Sequence, residues 1–499
     1  MKTIVLFCLI MSFVGATPQF AFCEEEAALE EILDGFDDEP TDIDSDLDEV
    51  LDGFDGTGDG EAAGDESGYE PILEGFEDPE NASTATRTPG SMIDTSPFSI
   101  DGYVKIGSTY NYMHDAPDPG ETDWRGLSKL RAELLVQAEF KPAPKWKMFV
   151  SGKGHYDAAY AINGRDEYTE DVLDAYETEL EMRDTYISGS LSRNIDIKLG
   201  RQIVVWGKSD NIRITDVLNP LDFREPGLTD IEDLRLPVYM SRADYYFGDF
   251  SLTGLAIHEI RFNKLPEFGS DFFPYSALPP TEDIPESIAE HTEFAAALNG
   301  IFSGWDLSLY WADIYNDIPR LKTVPSFPMP ALRRTHDRIN MLGTGLTAAR
   351  GNWLFKSEAA YFTGIRFLNS TDKFSRLDGL IGFEYTGFDN TTISLELADR
   401  YLLDFDKDLE DTPDDANENE FQSAIRLTRD FINDTLTLTV LANAFGIYGE
   451  KGAFQRLTLE YDLTDAFSIL GGVVMYQSGD IFNQVDDNDR LIFEAKYFF

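Results

Sequence analysis

The feature that most constrains this chain is an apolar–polar alternation held over segments too long for an ordinary soluble sheet. In "KLRAELLVQAEF", 129–140, Leu130, Ala132, Leu134, Val136, Ala138 and Phe140 share one face. Lys129, Arg131, Glu133, Gln137 and Glu139 share the other. "TLTLTVLANAF" at 435–445 and "RLTLEYD" at 456–462 repeat the pattern, setting Leu457, Leu459 and Tyr461 against Arg456, Thr458 and Glu460. A period of two marks strands whose faces meet different surroundings. About 18 such segments follow Phe98, many of about 11–16 residues. Soluble strands cluster at about 5–6 residues, and about 9–11 tilted residues cross a bilayer.

The connections alternate in length. Short turns fall at 141–145, 191–194, 248–249, 303–304, 351–352, 389–390, 433–434 and 463–465. Longer links lie near 114–126, 161–175, 207–235, 263–290, 317–335, 368–374, 406–418, 447–453 and 479–487. This is the rhythm of outer-membrane barrels, with short periplasmic turns and long external loops. The last residues, "LIFEAKYFF", put Leu491, Phe493, Ala495, Tyr497 and Phe499 on one apolar face. Such a terminal strand resembles the signal that engages the outer-membrane insertion machinery. The 36 Phe and 22 Tyr suffice for aromatic girdles at both interfaces. The predicted fold is all-β, a transmembrane antiparallel β-barrel of 16–18 strands with a disordered acidic N-terminal tail. Its expected home is the outer membrane of a diderm bacterium, with the lipid bilayer as first partner and the tail in the periplasm.

Charge supports that division. The net charge is −52, and residues 1–96 hold 26 Asp and Glu against Lys2 and Arg87. Nucleic acid is excluded as a partner, because phosphate needs a basic surface. Residues 1–23 carry Lys2, an apolar run from Ile4 to Val14 and then small residues, a secretory signal peptide too short to span a bilayer. Cleavage is expected after Ala16 or Cys23; Phe22 argues against lipid attachment at Cys23. The only cysteines are Cys8 and Cys23, so cleavage after the second leaves no thiol for disulfide or metal chemistry. No later segment holds 18 continuous apolar residues. The predicted organisation is a leader (1–23), an acidic low-complexity tail (24–96) and a barrel (97–499).

Within the tail one motif recurs: "ILDGFDD" at 32–38, "VLDGFDG" at 50–56 and "ILEGFED" at 72–78. The glycines lie 18 and 22 residues apart, too unevenly for a stacked solenoid. So acidic a segment buries too little apolar surface to fold alone. The repeated Leu33, Gly35, Phe36; Leu51, Gly53, Phe54; and Leu73, Gly75, Phe76 fit a linear motif copied for avidity toward a periplasmic protein. A charged linker is the plainer alternative. Asp55, Thr57, Asp59, Gly60 and Glu66 match positions of a calcium loop. Ala62 interrupts the pattern and no amphipathic helices flank it, so a chance match is expected, with no metal and no cofactor.

Catalysis has little to stand on. His114, His155, His258, His291 and His336 show no metal spacing, and no GxSxG elbow is present. An enzyme is not expected. Charged residues on the inward strand faces instead predict a lumen: Arg131, Glu133, Glu179, Glu181, Arg183, Glu396, Arg400, Arg456 and Glu460. They either set the field along a channel or pair with one another and stiffen the wall. The third long link and the strand end before it carry Gln202, Trp206, Lys208, Asp210, Arg213, Asp216, Asn219, Asp222 and Arg224 among aliphatics. It is too charged for lipid and too apolar for a solvated loop, which predicts an inward-folded constriction. Arg201 follows the outward phase of its strand, which would cost about 2–4 kcal/mol at mid-membrane. A bulge at Gly200 is expected to turn it inward.

"LGRQIVVWGKSD…NPLDF", with Gly200, Arg201, Gln202, Trp206, Gly207, Asn219, Pro220 and Asp222, resembles a porin-like outer-membrane family built on a domain of unknown function. That family is distantly similar to alginate-export-type channels, and the resemblance covers 98–499. It implies a barrel and the passage of small, often poorly soluble organic compounds. A channel for a small, hydrophobic organic molecule is therefore expected. The alternative is a non-conducting barrel that anchors the tail for an envelope complex.

Overall fold

The computed structural model describes residues 97–117, 122–275, 277–326, 329–480, 482–483 and 485–499. The predicted leader, the three Gly-Phe repeats and the Asp55–Glu66 pattern lie outside the described residues.

The chain forms one closed antiparallel barrel of 18 strands. In chain order these are β1 (Phe98–Asn111), β2 (Gly126–Ala143), β3 (Trp146–Asp157), β4 (Thr178–Ser190), β5 (Ile195–Gln202), β6 (Val238–Phe247) and β7 (Phe250–Ile257). A short external strand, β8 (Glu282–Asp283), precedes β9 (Glu293–Phe302) and β10 (Trp305–Tyr315). Two more external strands, β11 (Arg320–Val324) and β12 (Ala331–Thr335), form a separate three-stranded sheet with β8. The wall resumes with β13 (Arg338–Arg350), β14 (Trp353–Ile365), β15 (Phe374–Phe388), β16 (Thr391–Leu403) and β17 (Asn419–Phe431). It ends with β18 (Leu436–Phe445), β19 (Ala453–Thr464), β20 (Phe467–Gln477) and β21 (Arg490–Phe498). Three short helices lie in the links: α1 (Ala159–Asn163), α2 (Glu170–Tyr176) and α3 (Ile231–Leu234).

β1 pairs with β2 on one side and with β21 on the other, from Tyr103↔Phe498 to Asn111↔Arg490. Closure leaves no lipid-facing ladder without a neighbour at this seam. The predicted faces hold. Leu134, Val136 and Phe140 of β2 are exposed outward, as are Leu491, Phe493, Tyr497 and Phe499 at the C-terminus. No helix among the described residues is long and apolar enough to cross a membrane; the strands present the apolar exterior instead.

Two expectations fail. The bulge is not at Gly200. Register runs unbroken through β5 on both sides, with Arg201↔Thr185 and Arg201↔Tyr239. The extra residue lies in β4, where Val150 faces Thr185 but Gly152 already faces Met182. Arg201 therefore stays in the outward row beside exposed Tyr239. It is tolerated because β5 ends at the next residue and Glu259 reaches over to pair with it. Gly200 instead relieves a close approach of two strands. Its φ is +132°, and a Cβ there would sit 2.3 Å from the Thr185 carbonyl oxygen. The second failure concerns the inner wall, which is not polar all round. Met240, Ile257, Ala297, Ala312, Met341 and Phe362 face inward from β6–β14 as part of one buried apolar cluster.

Candidate functional site

The link between β5 and β6 folds into the barrel and explains that apolar wall. After Gln202 the chain leaves the wall, and Val204, Trp206, Ile212, Ile214 and Leu218 pack into the same apolar cluster. Trp206 stacks on Tyr310 of β10 at 4.9 Å between ring centres. Burying these aliphatics against the wall is worth roughly 1.5–3 kcal/mol each.

Two wall carboxylates hold the first half of this inner loop. Glu358 of β14 accepts from the backbone N–H of Lys208 (2.6 Å), Ser209 (2.9 Å) and Thr215 (3.0 Å), and from the Thr215 hydroxyl (2.6 Å). Glu396 of β16 accepts from the N–H of Asp210 (2.8 Å), Asn211 (3.0 Å) and Ile212 (3.1 Å), and from the Ser209 hydroxyl (2.8 Å). Both carboxylates are buried. The turn thus behaves as two backbone nests, each closed around an anion. Lys356 of β14 pairs with Asp210, Lys208 pairs with Asp306 of β10, and Arg400 of β16 donates to the Arg213 carbonyl at 3.2 Å.

The second half binds β2 and β4 across the barrel, and also β17 and β19. Arg224 pairs with Asp222 and with Glu179 of β4 at 2.7 Å. Glu225 takes Lys129 at 2.6 Å and Arg131 at 3.2 Å, both from β2. Burial works to raise the Glu225 carboxyl, but Arg131 and Lys129 overcome it and hold it well below the usual carboxylate range. Asp230, beside α3, pairs with Arg456 of β19 and Arg426 of β17. Burial opposes its ionisation too, and the two guanidiniums keep it below its ordinary value. The loop therefore crosses the lumen and is tied by charge to both sides.

The predicted residues divide into three groups. Lys208, Asp210 and Arg224 bridge loop and wall, as do the wall residues Arg131, Glu179, Glu396, Arg400 and Arg456, while Asp222 pairs with Arg224 within the loop. Arg213, Asp216 and Asn219 knit the loop itself. Asp216 pairs with Arg213 (3.3 Å) and Arg235 (3.0 Å), and the Asn219 amide joins Val204, Gln202 and Leu236. Gln202 is buried in the wall, donating to Met240 and Gly200 carbonyls. Glu133 pairs with Lys105 (3.5 Å) and Lys153 (3.2 Å) and accepts from Tyr103. Glu181 pairs with Arg261, Arg183 lies in the bulged part of β4, and Glu460 is exposed near the short-turn end of β19. Arg201, expected inside, lies on the outer face beside Tyr239.

Sequence reasoning missed Glu358, Glu225, Asp230, Asp306 and Lys356. A lone carboxylate in "FKSEAAYF" was the available signal for Glu358: it points inward from a strand whose inner neighbours Ala360 and Phe362 are apolar. Glu225 and Asp230 lie in an aperiodic link and carry none.

Residues 125–499 match the family described as "Protein of unknown function (DUF1302)". The chain belongs to that family. Among curated proteins none matches the sequence. The DUF1302 barrel is similar to solved structures at low identity. OccAB2 of Acinetobacter baumannii is 11% identical over 82% of this chain and 99% of that chain, with a TM-score of 0.47. OccK9 (OpdG) of Pseudomonas aeruginosa is 11% identical over 80% and 98%, TM-score 0.49. A BenF-like porin from Pseudomonas fluorescens Pf-5 is 10% identical over 82% and 100%, TM-score 0.49.

Proposed function

We propose that this protein is an outer-membrane channel for a small organic molecule, with the inner loop as its constriction. The observation that carries the reading is the loop's span: it is held by carboxylates of β14 and β16 and by cations of β2 and β19, and so narrows the lumen from both sides. At 18 strands the barrel is wide enough to conduct unless something fills it. Lys105, Lys153 and Glu494 are partly accessible and Glu460 is exposed, so a path past the loop would be polar and carry both charge signs. The family resemblance suggests a poorly soluble, hydrophobic cargo. No covalent step is assigned.

Full-length protein in a planar bilayer is expected to give discrete single-channel steps. Silence from both the wild type and the Glu358→Ala/Glu396→Ala chain would overturn the channel reading. It would leave a barrel that only anchors its tail.

The tail is assigned to the periplasm and to a protein partner that reads the three Leu-acidic-Gly-Phe copies. A peptide spanning 32–78 should retain that partner from a periplasmic extract. Changing Phe36, Phe54 and Phe76 to Ala should lower capture at least about tenfold, as loss of three linked contacts predicts. Equal capture by both peptides would reduce the segment to a charged linker.

A further inference from the structure

Between β4 and β5 the upper part of the barrel wall is closed by side chains and not by a backbone ladder. β5 covers only Thr185–Ser190 of β4. Above that, Thr178–Asp184 has β3 on one side and no strand on the other among the described residues. The chain that would have continued β5 turns inward at Ile203. The gap lies between Tyr156, paired with Thr178, and Tyr239, paired with Arg201, and both tyrosines are exposed on the outer face. Tyrosine belts sit at the headgroup level of barrels.

Each side of this notch has its own chemistry. On the outside, Leu180 is 87% exposed and Met182 57%. They lie opposite Gly154 and Gly152, which offer no side chain to cover them. On the inside, Glu179 and Glu181 alternate with these residues and meet Arg224, Arg261 and Lys264. Arg201 spans the gap, donating to the Met182 carbonyl at 2.8 Å and pairing with Glu259. Opening the wall along a paired seam means separating a strand ladder. Opening it here needs only rotamer changes in long side chains, which are fast. By contrast, the inner loop packs against one side of the lumen above the wall, and Phe272 and Phe482 from two external links pack over β20.

We propose that the notch between β4 and β5 is a lateral port, through which a small apolar or amphipathic molecule passes between the outer leaflet and the lumen. This rests on the channel reading and gives it an entrance. The apolar body would lie along Leu180 and Met182 while the ion pairs on the inner side part around it.

The test uses cells with an intact lipopolysaccharide leaflet, which excludes N-phenyl-1-naphthylamine. Expression of the full chain is expected to raise the uptake rate of this probe over vector cells. Met182→Cys, and separately Leu180→Cys, are then labelled from outside with a bulky impermeant maleimide. Leu278→Cys, exposed on an external link, and the labelled wild type serve as controls. Blocking either notch position should cut probe uptake at least about fivefold, while ion conductance of the same labelled protein stays within about twofold. Wild-type uptake by both labelled notch variants, or no uptake above vector by the wild type, overturns the lateral port. Loss of ion conductance in the unmodified chain would instead count against the channel itself.

Discussion

Removing both nest carboxylates, Glu358→Ala with Glu396→Ala, is expected to release the inner loop and raise single-channel conductance at least about threefold. Five backbone N–H groups between Lys208 and Thr215 lose their acceptors in that variant, while the Ile212 N–H keeps the Ser209 hydroxyl oxygen. Each buried donor left unpaired costs about 1–3 kcal/mol. By comparison, an exposed ion pair contributes about 0–1 kcal/mol. The loop cannot stay folded against the wall at that penalty, so its turn should rehydrate and leave the lumen. The apolar cluster around Trp206 opposes this, and so do the Glu225 and Asp230 anchors. The loop should therefore swing out from its first half while its second half remains attached. Added protease should cut between Gly207 and Ile214 in the variant and not in the wild type. Unchanged conductance together with unchanged protease resistance would show that these carboxylates do not hold the loop.

Gly200→Val should abolish the folded barrel, seen as loss of the fast-migrating unheated band in gel electrophoresis. A Cβ at this position falls 2.3 Å from the Thr185 oxygen and 2.7 Å from the Tyr186 Cα, both backbone atoms that cannot rotate away. The φ of +132° adds strain for any L side chain. The combined cost exceeds about 3 kcal/mol, the range in which single changes unfold a domain. Gly254→Ala is the matched control, since nothing lies within 4 Å of its added methyl. A Gly200→Val protein with the wild-type band pattern would mean that β4 relaxes around its bulge.

What the sequence showed and what it hid follow from range. Alternation is local, so the faces of β2 and β21 and all nine long links could be read directly. The inward course of the third link was also legible, because its mix of charges and aliphatics suits neither lipid nor water. The position of the bulge was not: it depends on β3–β4 register, and Gly200 merely accommodates the crowding that results. The apolar inner wall was hidden because Met240, Met341 and Phe362 look like ordinary members of two-sided apolar strands. Only the loop they meet gives them a reason to face inward. Glu225 and Asp230 acquire partners about a hundred to two hundred residues away, which no spacing rule detects.

The seam between β1 and β21 also dictates an order of events. The strands that meet there begin at Phe98 and end at Phe498, so the first part of the barrel to be synthesised waits for the last. Until Arg490–Phe498 arrives, the growing sheet keeps two raw edges. Hydrocarbon cannot solvate such edges, and in water they invite aggregation. Assembly is therefore all-or-nothing with respect to β21: without it the other strands do not make a smaller barrel but leave an open sheet with nowhere to reside.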